Sequence, residues 1–204
     1  MNVVAKKSLG QNFLIDEKIL NLIVDLGNIN SNDIVLEVGP GTGNLTEKIL
    51  KKGPKKIIVV EKDANLSMNL KKKFNKDIIV INDDILNYNQ SYLYKKKIII
   101  FGNLPYNIST QILISWIKIN NLNNFCKKFI LMFQKEVADR ILAEFNTRNY
   151  GRISILSSWK MEIEKIIDID PSSFFPRPKI KSTLLVFKPK DKYFELKNPK
   201  HLEH

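Results

Sequence analysis

The sequence predicts an α/β protein built on a mostly parallel, doubly wound sheet. Short apolar runs rich in Ile and Val recur along the chain without alternating with polar residues. Strands that are buried on both faces of a parallel sheet have this pattern. Between the runs, apolar residues recur three and four positions apart, as they do on one face of a helix. Strands and helices that alternate in this way indicate helices on both faces of the sheet.

The elements can be assigned in chain order. An amphipathic helix is predicted over residues 17–26, with Asp16 as its N-cap. The first five strands are predicted at 34–36, 57–60, 78–81, 98–101 and 129–133, and the helical patterns fall within 45–50, 66–74, 112–117 and 137–142. Beyond Gly151, a short helix over 153–159 precedes two strands, 162–169 and 183–188, which flank a proline-rich stretch. We find no repeat or internal linker, so a single domain is expected.

Composition and charge exclude several classes of function. The 204 residues include 33 Lys plus Arg and 21 Asp plus Glu, which gives a net charge of +12 and favours an anionic partner. One cysteine and two histidines, both near the end, argue against a disulfide, a metal site and histidine-assisted nucleophilic catalysis. There is no apolar run long enough for a membrane helix and no signal-peptide pattern. We therefore expect a cytoplasmic protein that does not bind membranes.

A glycine-rich turn follows the first predicted strand of the sheet. It reads Glu37-Val38-Gly39-Pro40-Gly41-Thr42-Gly43 and leads into a helix. Such a turn at the carboxyl end of a strand lets the backbone approach a nucleotide closely. The dinucleotide fingerprint requires glycine where Asn44 stands, so the spacing fits S-adenosylmethionine (SAM) better than a nicotinamide cofactor. Glu61 ends the next strand, where an acid can bind ribose hydroxyls, and Asp84 follows the third strand, where it can accept from the adenine amine. The alternative is a tight turn with ordinary surface acids.

A second motif ends the fourth strand and indicates the reaction. It reads Gly102-Asn103-Leu104-Pro105-Tyr106. An exocyclic adenine amine is a weak nucleophile because its lone pair is delocalised into the ring. The side-chain carbonyl of Asn103 and the main-chain carbonyl of Leu104 can accept the amine protons, and Tyr106 can stack on the base. Alignment with an activated methyl group can supply roughly 7–11 kcal/mol, so no strong general base is required. The neutral Asn103 also suits an amine that already carries one methyl group.

Together these segments resemble the small-subunit ribosomal RNA adenine N6,N6-dimethyltransferase family of the KsgA (RsmA) type. Besides the two motifs, the resemblance rests on residues 10–14, 107–110, 134–138, 150–152 and 173–179. It implies a Rossmann-like, class I SAM-dependent methyltransferase fold with a seven-stranded sheet. Residues 1–189 would form the catalytic domain, in which 1–30 are a cofactor-covering segment and helix. Residues 190–204 would be the stub of a C-terminal helical domain that is largely absent, which would weaken RNA binding.

The resemblance also implies roles for individual residues. The cofactor would contact Gln11, Asn12, Leu14, Glu37, Gly39, Gly41, Gly43, Glu61, Lys62, Asp84, Ile85 and Asn103. The catalytic group would comprise Asn103, Leu104, Pro105, Tyr106 and Phe174, with Phe174 stacked on the other face of the adenine. Phe175 is the second choice for that stacking role, and core packing is the alternative for both rings. RNA would contact Lys6, Lys7, Phe175, Arg177, Lys179 and Lys181.

The implied substrate is a pair of adjacent adenines in the 3′-terminal hairpin loop of small-subunit (16S) rRNA. Each would be methylated twice in the immature small ribosomal subunit by a monomeric enzyme, with S-adenosylhomocysteine as the product of SAM. One alternative is the large-subunit rRNA adenine methyltransferase of the macrolide-resistance type, which tends to carry other residues at positions 40 and 104. Another is a non-catalytic RNA-binding factor for ribosome assembly on the same fold. A nicotinamide oxidoreductase is a third, disfavoured by Asn44.

Overall fold

The computed structural model describes residues 5–6, 10–88 and 97–194. The strands in this part of the chain are β1 (Phe13–Leu14), β2 (Ile34–Val38), β3 (Lys56–Val60), β4 (Ile79–Ile81), β5 (Ile98–Asn103), β6 (Cys126–Gln134), β7 (Met161–Ile169), β8 (Phe174–Phe175) and β9 (Ser182–Pro189). The α-helices are α1 (Glu17–Gly27), α2 (Asn44–Lys51), α3 (Ala64–Phe74), α4 (Ser109–Ile117), α5 (Leu122–Phe125), α6 (Lys135–Ile141) and α7 (Arg152–Lys160). The predicted strands and helices are confirmed, with ends displaced by a few residues.

The main sheet has seven strands in the order β4-β3-β2-β5-β6-β9-β7. Strands β2 to β6 run parallel to one another, and β9 runs antiparallel to both β6 and β7. The register pairs Val38 with Val60 and Asn103 with Met132, so the carboxyl ends of β2, β3, β5 and β6 lie at one edge. The sheet reverses its order between β2 and β5, which is where such folds bind nucleotides. The predicted α/β fold with a mostly parallel seven-stranded sheet is confirmed.

A helical layer covers each face of the sheet. Alternate residues of β2 face opposite sides: Val35 packs with apolar side chains of α1, α2 and α3, and Leu36 packs with those of α4. On the second face, Trp116 of α4 packs against Phe129 of β6, with ring centroids 5.3 Å apart. Within the described residues, no helix combines the length and apolar character that crossing a membrane requires.

The structure differs from the sequence prediction in three respects, the first of which is the short helix α5, which was not predicted. Strand β4 was expected to be buried on both faces, and this is wrong: among the described strands it lies at the edge of the sheet and pairs with β3 alone, and Ile79 is 42% exposed. The small antiparallel sheet in which β1 pairs with β8 was not predicted at all. Two-residue strands are too short to produce a hydrophobic period.

The predicted N-cap of α1 ties two distant parts of the chain together. One carboxylate oxygen of Asp16 accepts hydrogen bonds from the main-chain N–H groups of Lys18 (2.9 Å) and Ile19 (3.3 Å). The other accepts from the hydroxyl of Ser173 (3.0 Å), which ends a short 3₁₀ helix over Pro171–Ser173. The N-cap therefore holds β8 beside the start of α1, next to the edge where the parallel strands end.

Candidate active site

A cavity lies at the carboxyl ends of β2, β3, β5 and β6. Its walls come from the N-terminal segment, the glycine-rich turn, the acid that follows β3 and the turn that follows β5. They include residues 10–14, 39–42 and 103–108 together with Leu20, Glu37, Asn44, Leu45, Glu61, Lys62, Leu66 and Met132. The two motifs that the sequence singled out therefore share one cavity.

The glycine-rich turn needs its glycines for two different reasons. Gly39, Gly41 and Gly43 have φ of +68°, +58° and +81°, a region that residues with a Cβ rarely adopt. A Cβ on Gly41 would lie 2.7 Å from the ring of Phe13, so this glycine lets the N-terminal segment close over the turn. A Cβ on Gly43 would lie 2.7 Å from the ring of Phe74 on α3. Gly43 does not line the cavity, and its visible role is to let α2 and α3 pack closely.

Two buried acids stand on the cavity wall. Glu61, which is 6% exposed, accepts hydrogen bonds from the main-chain N–H groups of Gly41 (3.1 Å) and Asp63 (2.9 Å). Burial raises its pKa against the opposing effect of these bonds. Glu37 is 2% exposed and accepts from the Thr46 hydroxyl at 2.7 Å. Burial raises the pKa of Glu37 to about 7, and the nearby charge of Glu61 adds to the effect. These carboxyl groups give the cavity the acidic character that suits a cationic ligand.

Asp84 is in contact with Lys62, a residue of the cavity wall. Its carboxylate forms an ion pair with Lys62 at 2.8 Å and accepts from the Leu86 main-chain N–H at 3.0 Å. The Lys62 hydrogen bond lowers the pKa of Asp84. Lys62 lines the cavity, whereas Asp84 and Ile85 do not. Their predicted contacts with the cofactor stay predictions.

The turn after β5 brings Asn103 and Tyr106 to the cavity. The Asn103 amide nitrogen Nδ2 donates to the main-chain carbonyl of Asn12 at 2.8 Å. The oxygen of the same amide, Oδ1, is an acceptor and takes no part in this bond. The Tyr106 hydroxyl is 2.9 Å from the hydroxyl of Ser182, at the start of β9. Burial raises the pKa of the Tyr106 phenol. Leu104 and Pro105 complete this wall, so the predicted catalytic turn faces the same space as Glu61.

The described part of the N-terminal segment (residues 5–6 and 10–14) is tied across the cavity. Lys6 forms an ion pair with the buried carboxylate of Asp63 at 2.8 Å, and the Gln11 side chain donates to the same oxygen at 3.2 Å. The side-chain amide of Asn44 donates to the Leu14 carbonyl at 2.8 Å. Sequence reasoning missed Asp63 and Asn44 as site residues. An acid just before a helix was the available signal for Asp63, which is the N-cap of α3.

The two candidate stacking rings lie in different environments. Phe174 is 2% exposed, packs in the core and pairs with Leu14, whereas Phe175 is 61% exposed and pairs with Phe13. A ring that stacks on a base must offer an open face, and of these two only Phe175 does so. The stacking role of Phe174 stays a prediction.

The predicted RNA contacts are largely exposed. Arg177 forms an ion pair with Asp170 at 3.4 Å, while Lys179 and Lys181 are exposed on the segment that leads into β9. Ser182 pairs with Gln134 at the carboxyl end of β6, so this segment lies at the same edge of the sheet as the cavity. Lys6 is exposed but engaged by Asp63, and Lys7 lies outside the described residues.

Comparison with solved structures shows which class of protein has this fold. The structure superimposes on the crystal structure of the 23S rRNA methyltransferase ErmE with a TM-score of 0.78, at 23% identity, over 94% of this chain and 75% of that one. It superimposes equally well, with a TM-score of 0.78, on a dimethyladenosine transferase from Plasmodium falciparum. That match has 33% identity and covers 88% of this chain and 64% of that chain. The molecule has the fold of a class I SAM-dependent methyltransferase.

Sequence comparison narrows the class to a family. A family model described as ribosomal RNA adenine dimethylase matches residues 2–204. A protein of Pelagibacter ubique (strain HTCC1062), named ribosomal RNA small subunit methyltransferase A, is 59% identical over 203 residues, which cover 100% of this chain and 77% of that protein. The chain belongs to the ribosomal RNA adenine dimethylase family. The predicted family and the predicted class of enzyme, an rRNA methyltransferase, are thereby confirmed.

Proposed function

We propose that this enzyme transfers methyl groups from SAM to N6 of two adjacent adenines in the 3′-terminal hairpin loop of 16S rRNA. The products would be N6,N6-dimethyladenine and S-adenosylhomocysteine. One observation carries the proposal: Asn103 and Tyr106 stand on the wall of the same cavity as the glycine-rich turn and Glu61. The names of the Pelagibacter and Plasmodium relatives agree with it.

The residues of the cavity fit SAM. Positive φ at Gly39 and Gly41 opens the turn to a ligand, and the buried carboxylates of Glu37 and Glu61 complement a cationic cofactor. A carboxylate can accept about four hydrogen bonds, so capacity remains on Glu61 for ribose hydroxyls beside its main-chain partners. Gln11, Asn12 and Leu14 would cover the cofactor, and Lys62, held by Asp84, would border it.

The turn after β5 would activate the adenine. When bound, SAM supplies a methyl carbon on a positively charged sulfur. Oδ1 of Asn103 and the carbonyl of Leu104 would accept hydrogen bonds from the amine, which shifts electron density onto its nitrogen. Tyr106 would present its ring to the base, and the Ser182 hydroxyl holds that ring in place. Held in this way, the amine nitrogen would face the methyl group that SAM carries, and the proton that the methylated amine loses would pass to water.

The exposed edge beside this turn would bind the RNA. Arg177, Lys179 and Lys181 can neutralise phosphates, and the exposed ring of Phe175 can stack on a base. Ser182, which contacts Tyr106, directly follows Lys181, so these side chains would lie close to an extruded adenine. We propose that the enzyme acts as a monomer in the cytoplasm on the immature small subunit.

The fold alone does not identify the ribosomal subunit, because a dimethyladenosine transferase and a 23S rRNA methyltransferase superimpose with the same TM-score. The naming of the curated relatives favours the small subunit. An assembly function could accompany catalysis, and the intact Asn103–Tyr106 turn favours an active enzyme.

A methylation assay on unmodified ribosomal subunits tests the proposal. Small and large subunits would each be incubated with the protein and labelled SAM, and primer extension would map the modified bases. We expect strong stops at two adjacent adenines near the 3′ end of 16S rRNA, and at least about a 100-fold slower reaction for Asn103→Ala, the size of effect seen when a preorganised polar group is removed. Modification of the large subunit, or full transfer by Asn103→Ala, would overturn it.

A further inference from the structure

We infer that the N-terminal segment orients the reactive amide of Asn103, so that the cover of the cofactor cavity also prepares the site for the adenine. The contact is the hydrogen bond from Nδ2 of Asn103 to the main-chain carbonyl of Asn12, at 2.8 Å. Asn12 lines the cofactor cavity and is 91 residues away in sequence. The inference rests on the proposed function only in naming adenine as the group that Asn103 receives.

The orientation of this amide decides what it can do. An asparagine side chain has a donor end and an acceptor end of nearly the same shape. Only the acceptor end, Oδ1, can attract the protons of an amine. If the amide rotated by half a turn, its NH₂ group would face the amine and repel it. The Asn12 carbonyl accepts but cannot donate, so it holds Nδ2 and turns Oδ1 away from itself.

Asn44 is the positioning residue that keeps Asn12 in place. Its side-chain amide donates to the carbonyl of Leu14 at 2.8 Å, two residues beyond Asn12. The pairing of Leu14 with Phe174 and the bond from Gln11 to Asp63 hold the same segment on either side. Asn44 occupies the position at which a dinucleotide-binding turn has glycine. A glycine could not form the hydrogen bond to Leu14, which explains why a residue with a polar side chain is found at this position.

The first test measures hydrogen exchange of the Asn103 side-chain amide by NMR in the protein without ligands. We expect Asn44→Ala to reduce the protection of this amide roughly two- to tenfold, the range that one net hydrogen bond supports. Asn65→Ala, at an exposed asparagine, is the matched control, and the Asn123 amide, bonded to the Lys190 carbonyl at 2.8 Å, is the internal reference. Unchanged protection of the Asn103 amide in Asn44→Ala would overturn the role of Asn44.

The second test uses the pH profile of Asn103→Asp, compared with that of the native enzyme. Only the protonated carboxyl group of this variant can donate to the Asn12 carbonyl while its other oxygen accepts from the amine. We therefore expect its methyl transfer, relative to the native enzyme, to fall at least about tenfold between roughly pH 5.5 and 8.5. A flat or rising ratio would overturn the inference, since a carboxylate is the stronger acceptor. A native enzyme inactive on small subunits would instead refute the proposed function and leave the NMR result standing.

Discussion

Phe174 and Phe175 are neighbours in sequence with opposite environments, one buried in the core and one exposed. We expect Phe174→Ala to lower the free energy of unfolding by about 3–5 kcal/mol, because it leaves a cavity among apolar side chains. Phe175→Ala should leave stability within about 0.5 kcal/mol and weaken RNA binding by about 1–3 kcal/mol, the value of one stacked base. Denaturant unfolding and RNA titration of both variants measure these effects.

Phe174→Leu distinguishes the two roles more sharply. It keeps an apolar side chain in the core but removes the aromatic ring. If this variant folds with near-native stability and still loses methyl transfer while binding RNA normally, Phe174 itself stacks on the adenine, and the role given to Phe175 is wrong.

Glu37 makes stability depend on pH in an unusual direction. Its pKa is raised from 4.5 to about 7 by burial, so between these values the folded protein holds a proton that the unfolded chain has released. Stability therefore falls as pH rises through this window, by roughly 3 kcal/mol at most. We expect Glu37→Gln to be increasingly more stable than the native protein from pH 4.5 to about pH 8, measured by denaturant unfolding.

Glu47→Gln is the control for this dependence. The pKa of Glu47 is lowered, chiefly by its hydrogen bond from Lys73, so its contribution to stability is present at neutral pH and is lost as pH falls. This variant should therefore deviate from the native protein in the opposite direction. A constant difference between Glu37→Gln and the native protein at all pH values would show that Glu37 does not titrate in this range.

At the scale of elements, two glycines allow the cost of backbone strain to be measured separately from the cost of overpacking. One is Gly43 in the glycine-rich turn, and the other is Gly53, which follows α2. Both Gly43 and Gly53 have positive φ, but only at Gly43 would a Cβ collide, at 2.7 Å from Phe74 and 2.9 Å from Leu70. Gly53→Ala should cost about 1–2 kcal/mol for the strained backbone alone. Gly43→Ala should cost about 1–3 kcal/mol more, because α2 and α3 become overpacked. Equal losses of stability in thermal unfolding would contradict the packing role.

Elements long enough to show a periodic pattern of apolar residues were predictable from the sequence, and the shortest elements were not. Runs such as Ile98–Phe101 identify strands buried on both faces, and Asp16 identifies the start of α1. The pairing of β1 with β8 was not predictable, because each strand has two residues and their contact spans most of the chain. The glycine-rich turn and Glu61 could be assigned to a cavity from sequence. The bond from Asn103 to Asn12 could not, since no local pattern reports a contact between residues 91 apart.

At the scale of the whole molecule, the net charge of +12 does not by itself locate the RNA. Many of the described lysines are exposed, and the topology places them at different edges of the sheet. Lys179 and Lys181 lie at the edge where the parallel strands end, beside the cavity. Lys55 and Lys56 lie where β3 begins, at the opposite edge. Two pairs of exposed lysines thus carry the same charge and differ in their distance from the active site.

Replacing each pair by glutamine tests whether RNA binding depends on position or on total charge. Both double variants remove two positive charges. The measured quantity is the slope of log RNA affinity against log salt concentration. For the double variant Lys179→Gln, Lys181→Gln, we expect this slope to become shallower by about 0.7 for each phosphate that is no longer neutralised. For Lys55→Gln with Lys56→Gln, the slope should stay at its native value. If both slopes change equally, long-range attraction by the total charge dominates, and the edge beside Tyr106 is not the RNA-binding surface.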